Sequence, residues 1–212
     1  MGGLTLGVFG GTFDPVHLGH LLVAEEAREQ LGLERLLLLP ARDPWLRGRE
    51  ATPAHHRLAM LRLAVADYPA FEVCTLEMER SGPSYTTDTL EELRRLHGPD
   101  VQVFFLIGWD ALRELPRWHE PARVLSLCTL VALTRPAADE PWAELETALP
   151  GAGAHIQRLE VPLIEISGTT VRQRVAQGRS IRYWVPEPVR QYILANGLYR
   201  PSVSPQSVFL LY

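Results

Sequence analysis

Two histidines, His17 and His20, close the glycine-rich stretch Gly10-Gly11-Thr12-Phe13-Asp14-Pro15-Val16-His17-Leu18-Gly19-His20. Before it, the apolar run Leu4 to Phe9 reads as a strand. After it, Leu21 to Leu31 carries apolar residues at helical spacing, so the expected order is strand, tight loop, helix start. Residues three apart near a helix start project from the same side. Gly10 and Gly11 are expected to let the backbone turn sharply and a ligand approach closely. Asp14-Pro15 reads as a turn that leads into the helix, with Pro tolerated in its first turn. The free N–H groups and positive dipole end of a helix N-terminus favour an anion. Two imidazoles beside such a terminus suit a polyphosphate whose charge is shifting. A glycine-rich loop alone is common in α/β folds, and a lone His is more often structural. Their coincidence within eleven residues points to function.

A second constellation is Ser167-Gly168-Thr169-Thr170-Val171-Arg172. Hydroxyls at a helix start, with an Arg one turn inside, make an anion site of a different design. By itself this pattern reads more readily as a Ser/Thr N-cap with a solvated Arg. Beside the first constellation it reads as a second phosphate element.

The chain has no lysine; all 21 of its Lys-plus-Arg residues are Arg. That excludes a Schiff base, a lysyl-nucleotide intermediate and a Walker-type phosphate loop, each of which needs a lysine amine. Phosphate chemistry here must run on Arg, His, main-chain N–H groups, helix termini and a metal. The formal charge of −4 gives no electrostatic case for nucleic acid as the main partner. No apolar run approaches a membrane span, and no secretory signal is visible. Cys74 and Cys128 lack ligand-like spacing and read as reduced, buried thiols of a cytoplasmic protein.

The elements that must position these residues alternate. Arg35 to Pro40 fits a buried parallel strand, followed by a polar loop, Ala41 to Pro53, carrying Arg42, Arg47 and Arg49. His55 to Ala66 has helical periodicity, Phe71 to Leu76 reads as a strand, and Thr86 or Thr87 caps a helix through Leu96. Val101 to Ile107 is a strongly apolar strand ending in Gly108-Trp109-Asp110, with a short helix to Leu115 after it. Cys128 to Leu133 is a further strand, and Ile156 to Val161 another. Helices are expected over Trp142 to Leu149, from Ser167 to Gln177, and from Pro186 to Ala195. The fold class expected is α/β, a Rossmann-like open parallel sheet with helices on both faces and a small C-terminal helical region. Residues 1–200 form one domain in this reading, with about 165–200 as its C-terminal helical part, and 201–212 a tail. The closing Val208 to Tyr212 could pack on the body or on another subunit, which leaves a homo-oligomer open. Loops 10–20, 40–49, 108–119 and 134–136 all follow strands, so they share one rim, where such sheets bind ligands.

GGTFDPVHLGH resembles the nucleotidyltransferase signature whose core is His-x-Gly-His, and Ile-Ser-Gly-Thr-Thr-Val-Arg resembles the second signature of that superfamily. Within it, the chain is most similar to the bacterial nicotinate-nucleotide adenylyltransferases. The pieces that carry this are Gly82-Pro83-Ser84-Tyr85-Thr86-Thr87-Asp88-Thr89-Leu90, Leu106-Ile107-Gly108-Trp109-Asp110, Leu115-Pro116-Arg117-Trp118 and Asn196-Gly197-Leu198-Tyr199. They stand in the family's order, and the likeness runs from residue 4 to 200. Two departures matter. The family often has Pro-Pro-His-Lys after its second strand, where this chain has Asp43-Pro44-Trp45-Leu46-Arg47-Gly48. Gly168 fills the variable slot of Ser-x-Thr.

The resemblance implies that ATP and nicotinate mononucleotide give nicotinate adenine dinucleotide (deamido-NAD) and pyrophosphate, a step of NAD biosynthesis. Such a reaction needs no protein nucleophile, because the attacking phosphate is already an anion; positioning and electrostatic stabilisation are the expected means. His17, His20 and Arg172 are the expected catalytic residues. ATP is expected on Gly10, Gly11, Thr12, His17, His20, Gly108, Asp110, Ser167, Thr169 and Arg172, with Mg²⁺ bridging phosphate oxygens rather than sitting in a carboxylate cage. Nicotinate mononucleotide is expected on Thr12, Phe13, Arg47, Thr86, Trp118, His119 and Arg135, with Arg42 an alternative for its phosphate. The plainer readings make Asp110 a helix cap and Trp118 a core residue. The alternatives of function are a related adenylyl- or cytidylyltransferase and a nucleotide-binding regulator without turnover.

Overall fold

The computed structural model describes residues 4–42, 51–134, 142–162 and 164–201. Six strands form one parallel sheet: β1 (Thr5–Gly11), β2 (Arg35–Pro40), β3 (Phe71–Val73), β4 (Gln102–Gly108), β5 (Thr129–Thr134) and β6 (Ile156–Glu160). Their order is β3-β2-β1-β4-β5-β6, so the direction of winding reverses between β1 and β4. At that reversal the connections leave towards opposite edges and open a crevice at the carboxyl ends of the two strands. Register places Phe9 beside Leu106 there, with Gly10 and Gly11 facing Leu39 and Pro40 on the other side.

The strands read as continuous apolar runs because both faces of the sheet are covered. Leu36 and Leu38 of β2 face one core, and Leu37 and Leu39 face the other. The first core receives helices α1 (Leu18–Gln30) and α2 (Ala54–Val65), and also α8 (Gly168–Ala176) and α9 (Glu187–Ala195) from the C-terminal region. The second receives α4 (Thr86–His97), α5 (Trp109–Glu114), α6 (Pro121–Leu127) and α7 (Trp142–Ala148). A single turn, α3 (Leu76–Glu79), follows β3.

Several expectations shift. The strand expected over Phe71 to Leu76 stops at Val73, and its continuation is helical. The helix Pro121–Leu127 was not foreseen; Pro at its first turn is the signal that was available. Neither Thr86 nor Thr87 caps α4: Tyr85 takes the cap position without a side-chain bond, and Thr87 turns inward at 2% exposure. Gly10 and Gly11 are not a sharp turn, since both end β1 and neither has positive φ. The reversal falls on Phe13, at φ 49°. Gly11 lies in close approach instead: a Cβ there would stand 3.1 Å from the Phe13 ring. The Asp14–Pro15 bond is cis, and Pro15 precedes the helix rather than joining it. Among the described residues, no helix is long and apolar enough to cross a membrane. The tail beyond Pro201 and the segment carrying Arg47 and Arg49 lie outside the described residues, as does Arg135.

Candidate active site

His17 is the N-cap of α1, and the two histidines cap the helix reciprocally. Nδ1 of His17 accepts the His20 backbone N–H at 3.3 Å, and Nδ1 of His20 accepts the His17 backbone N–H at 3.3 Å. Their rings stack with centroids 3.6 Å apart. Because both Nδ1 atoms accept, the neutral rings carry their protons on Nε2. Burial lowers the His17 pKa to about 4. Burial, and then the neighbouring His17, hold His20 well below its ordinary value. Both imidazoles are therefore neutral N–H donors near neutral pH. Gly19 between them is closely enclosed: a Cβ would come within 3.1 Å of His17 Nδ1 and 3.4 Å of the Ile166 carbonyl oxygen. The Phe13 ring, buried against Gly11, props His20 with centroids 5.0 Å apart.

The pair lies in the wall of a cavity of about 900 Å³ at the carboxyl end of the sheet. Thr12, Phe13 and Asp14 contribute from the β1 loop, Gly108 and Asp110 from the end of β4, and Ser167, Thr169 and Arg172 from the start of α8. Val161, Ile164 and Ile166 supply an apolar side. Ser167 Oγ accepts the Thr170 backbone N–H at 3.1 Å, so it is an N-cap as well as a wall residue. Arg172 donates to Thr169 Oγ1 at 2.9 Å and, through Nη1, to the Asp14 backbone oxygen. The two signatures, some 150 residues apart, are thus joined directly. Gly168 is not a free choice in this chain, since a Cβ would lie 2.8 Å from that same Asp14 oxygen.

Other expected residues fall elsewhere. Gly10 and Gly11 border the crevice but do not line the cavity, because they belong to the last turn of pleat in β1. Thr86, Trp118 and His119 are also outside its wall. Trp118 is half-buried and meets Phe105 edge-on at 6.4 Å, while His119 stacks on Tyr85 at 4.1 Å, next to Thr86 at the start of α4. These three gather on the face of the sheet covered by α4 to α7, and Phe105 links them to Gly10, whose Cβ would lie 3.5 Å from it. Asp14, Tyr199 and Arg57 were not among the site residues expected from the sequence. Asp14 is 4% exposed; it accepts the Tyr199 hydroxyl at 2.8 Å and the Thr52 backbone N–H at 3.3 Å. Asp14 and Tyr199 stood inside quoted motifs, which was signal enough. A buried Arg57 had none, since its type and position suit a solvated helix face.

Among the described residues, no group of three or more His, Cys, Asp or Glu side chains could hold a metal ion. The cavity offers imidazole, hydroxyl, guanidinium and main-chain N–H donors, which match phosphate oxygens. Cys74 and Cys128 are half-buried, and burial pushes the Cys128 thiol up to about 12 and raises Cys74, so neither is an activated nucleophile.

A doubly wound parallel sheet, with two helix N-termini and a histidine pair around the crevice at its switch point, defines a nucleotide-binding protein of the α/β class. Residues 8–174 match the family model described as cytidylyltransferase-like. A relative from Thermomicrobium roseum is 44% identical over 209 residues, covering 95% of this chain and 97% of its own. One from Roseiflexus sp. (strain RS-1) is 47% identical over 202 residues, covering 94% and 100%. Each is named a probable nicotinate-nucleotide adenylyltransferase. Plasmodium falciparum nicotinic acid mononucleotide adenylyltransferase, solved in complex with NaAD, shares the fold with a TM-score of 0.72 at 18% identity, covering 92% of this chain and 97% of that one. The chain belongs to the cytidylyltransferase-like family and, within it, to the nicotinate-nucleotide adenylyltransferases.

Proposed function

We propose that this protein transfers the adenylyl group of ATP to nicotinate mononucleotide, giving nicotinate adenine dinucleotide and pyrophosphate. A phosphate oxygen of the mononucleotide attacks the α-phosphorus of ATP, and the bond from that phosphorus to the bridging oxygen of pyrophosphate breaks. The attacking atom is already an anion, so no covalent enzyme intermediate is needed. What the protein must supply is alignment and stabilisation of charge on the leaving group.

The observation that carries this reading is the reciprocal cap of His17 and His20, which uses both Nδ1 atoms as acceptors, in the wall of a cavity that the start of α8 also lines. Neutral imidazoles can enter a closed site without the desolvation cost of a cation and still donate to phosphate. His17 and His20 hold the ATP phosphates, while Ser167, Thr169 and Arg172 receive the β- and γ-phosphates at a helix N-terminus. Thr12 and the end of β1 at Gly10 and Gly11 hold the two nucleotides close. Gly108 and Asp110 take the adenosine ribose, and Val161, Ile164 and Ile166 provide an apolar seat for the base. Mg²⁺ would enter with ATP as part of that substrate and offset phosphate charge, since no carboxylate cluster among the described residues would hold it.

On the other side, Phe13 and Thr86 meet the mononucleotide, with His119 and the face of Trp118 at its pyridine ring. Arg47 and Arg135 are assigned to its anionic groups. The Tyr85–His119 stack supports this reading because it draws the start of α4 to the loop carrying Trp118. The enzyme is placed in the cytoplasm, where its thiols stay reduced.

The test is direct. The protein is incubated with ATP, Mg²⁺ and nicotinate mononucleotide, and both pyrophosphate and the dinucleotide are measured. Formation of both in equal amounts is expected, with the amide mononucleotide a poorer substrate. No pyrophosphate would exclude an enzyme of this kind, and equal efficiency with acid and amide would remove the preference for the acid mononucleotide.

A further inference from the structure

Arg57 lies in the first turns of α2 with 1% of its surface exposed, although it is not part of the cavity wall. Its guanidinium donates to four main-chain oxygens. Nε reaches Thr52 at 2.8 Å, Nη1 reaches Thr12 at 3.0 Å and Ala41 at 2.7 Å, and Nη2 reaches Arg42 at 2.7 Å. Those oxygens come from three separate places: the loop after β1, the carboxyl end of β2, and the residues just before α2. Burying a guanidinium costs free energy unless its donors are used. A planar fork can satisfy several divergent carbonyls at once, and a lysine ammonium cannot.

The Thr12 carbonyl is the one of the four that belongs to a cavity residue. The peptide that carries it leads into Phe13, whose φ of 49° is unusual for a non-glycine residue and must be held by its surroundings. Since a trans peptide is planar, a carbonyl pulled towards α2 sends the following N–H the opposite way. On the other side of the same loop, Arg172 of α8 holds the Asp14 oxygen. The loop is therefore pinned from the α8 side at Asp14 and from the β2 side at Thr12. In-line transfer needs the entering phosphate and the leaving pyrophosphate on opposite sides of the α-phosphorus. With pyrophosphate at α8, the entering substrate meets the side that Arg57 secures. The restraint extends outward: Arg42 donates to the Arg80 backbone oxygen at 2.7 Å, and Arg80 to Thr89 Oγ1 of α4 at 3.1 Å.

We propose that Arg57 is a positioning residue for the second substrate: by fixing the Thr12 carbonyl to the end of β2, it sets the main chain that receives the mononucleotide phosphate. This rests on the function proposed above. Steady-state kinetics of Arg57→Lys and Arg57→Gln, with each substrate varied at saturating levels of the other, test it, alongside thermal melting of each variant. Because displacements of about 1 Å cost on the order of 100-fold, a rise of at least tenfold in KM for nicotinate mononucleotide is expected, with KM for ATP changed less than about twofold. Lys, keeping charge and stem, should show the smaller effect. Equal changes in both KM values, or none, overturn the proposal. So does failure of both variants to fold, which would make Arg57 a residue of the core. Wild-type protein that makes no dinucleotide would instead overturn the functional reading itself, a result distinct from active wild type with unaltered variants.

Discussion

Tyr199 donates its hydroxyl hydrogen to Asp14 Oδ1 at 2.8 Å, across 185 positions of sequence. Burial, and then the Asp14 charge, push the Tyr199 hydroxyl well above its ordinary value, so it remains protonated and stays a donor. The bond ties the C-terminal region to the loop between β1 and α1. The backbone contact from Leu18 N–H to the Trp184 oxygen, 3.0 Å, adds a second tie. Tyr199→Phe removes one partner of a buried carboxylate. Bonds to charged groups are worth about 1.5–3 kcal/mol, and a loss of this order in urea unfolding is expected. A change under about 0.5 kcal/mol would show that Asp14 is held without it.

His20→Ala leaves the His17 N-cap in place, so α1 should still form. It removes one Nε2–H donor from the cavity and the stack beside His17. Loss of a single transition-state donor costs about 10²–10³ in kcat, and a fall of that size is expected with a circular dichroism spectrum like wild type. Turnover near the wild-type rate would remove the histidine pair from the mechanism.

The depressed histidine pKa values make stability depend on pH in a definite direction. An unfolded His17 protonates near 6.5 and the folded one only near 4. Between those values the unfolded chain binds more protons, so stability is complete above about pH 6.5 and falls as pH drops towards 4. The full shift corresponds to roughly 3 kcal/mol from His17. Chemical denaturation at pH 7.5, 6, 5 and 4.5 measures it. His17→Asn keeps a capping side chain that does not titrate and should reduce the slope over this window, leaving the share that buried His20 contributes; an unchanged slope would assign the dependence to other groups.

Gly168→Ala tests the junction of the two signatures. The added Cβ would stand 2.8 Å from the Asp14 oxygen and 3.2 Å from Arg172 Nη1, so either α8 or the β1 loop has to move. Overpacking of this kind costs about 1–3 kcal/mol. The expected outcome is a lower melting temperature together with at least a tenfold loss in kcat/KM for ATP, as Arg172 is displaced. Wild-type kinetics would mean that the contact relaxes without consequence for the phosphates.

Much of the scaffold is legible in the sequence. The runs Arg35–Pro40 and Gln102–Gly108 are apolar on consecutive residues, and only strands covered on both faces need that. The histidine spacing, with Ser167 and Thr169 ahead of Arg172, marked both helix starts. Short pieces were harder. Phe71 to Leu76 is rich in apolar residues but pairs for only three residues with β2, and from Leu76 the chain is helical.

Local pattern by itself determined the strand-loop-helix units, the two helix starts that carry the His pair and the Ser-Gly-Thr run and, through the absence of lysine, the kinds of cationic and hydroxyl donor the chain can offer. Those are properties of a residue and its near neighbours. Tertiary structure alone decided that His17 and His20 stack as neutral, Nε2-protonated rings, that Arg172 reaches the Asp14 carbonyl, and that Gly168 has no room for a side chain. It also decided that Arg57, which reads as a surface cation, is buried among four carbonyls. Main-chain oxygens are identical in every residue, so a side chain that recognises them leaves no complementary partner in the sequence to be found.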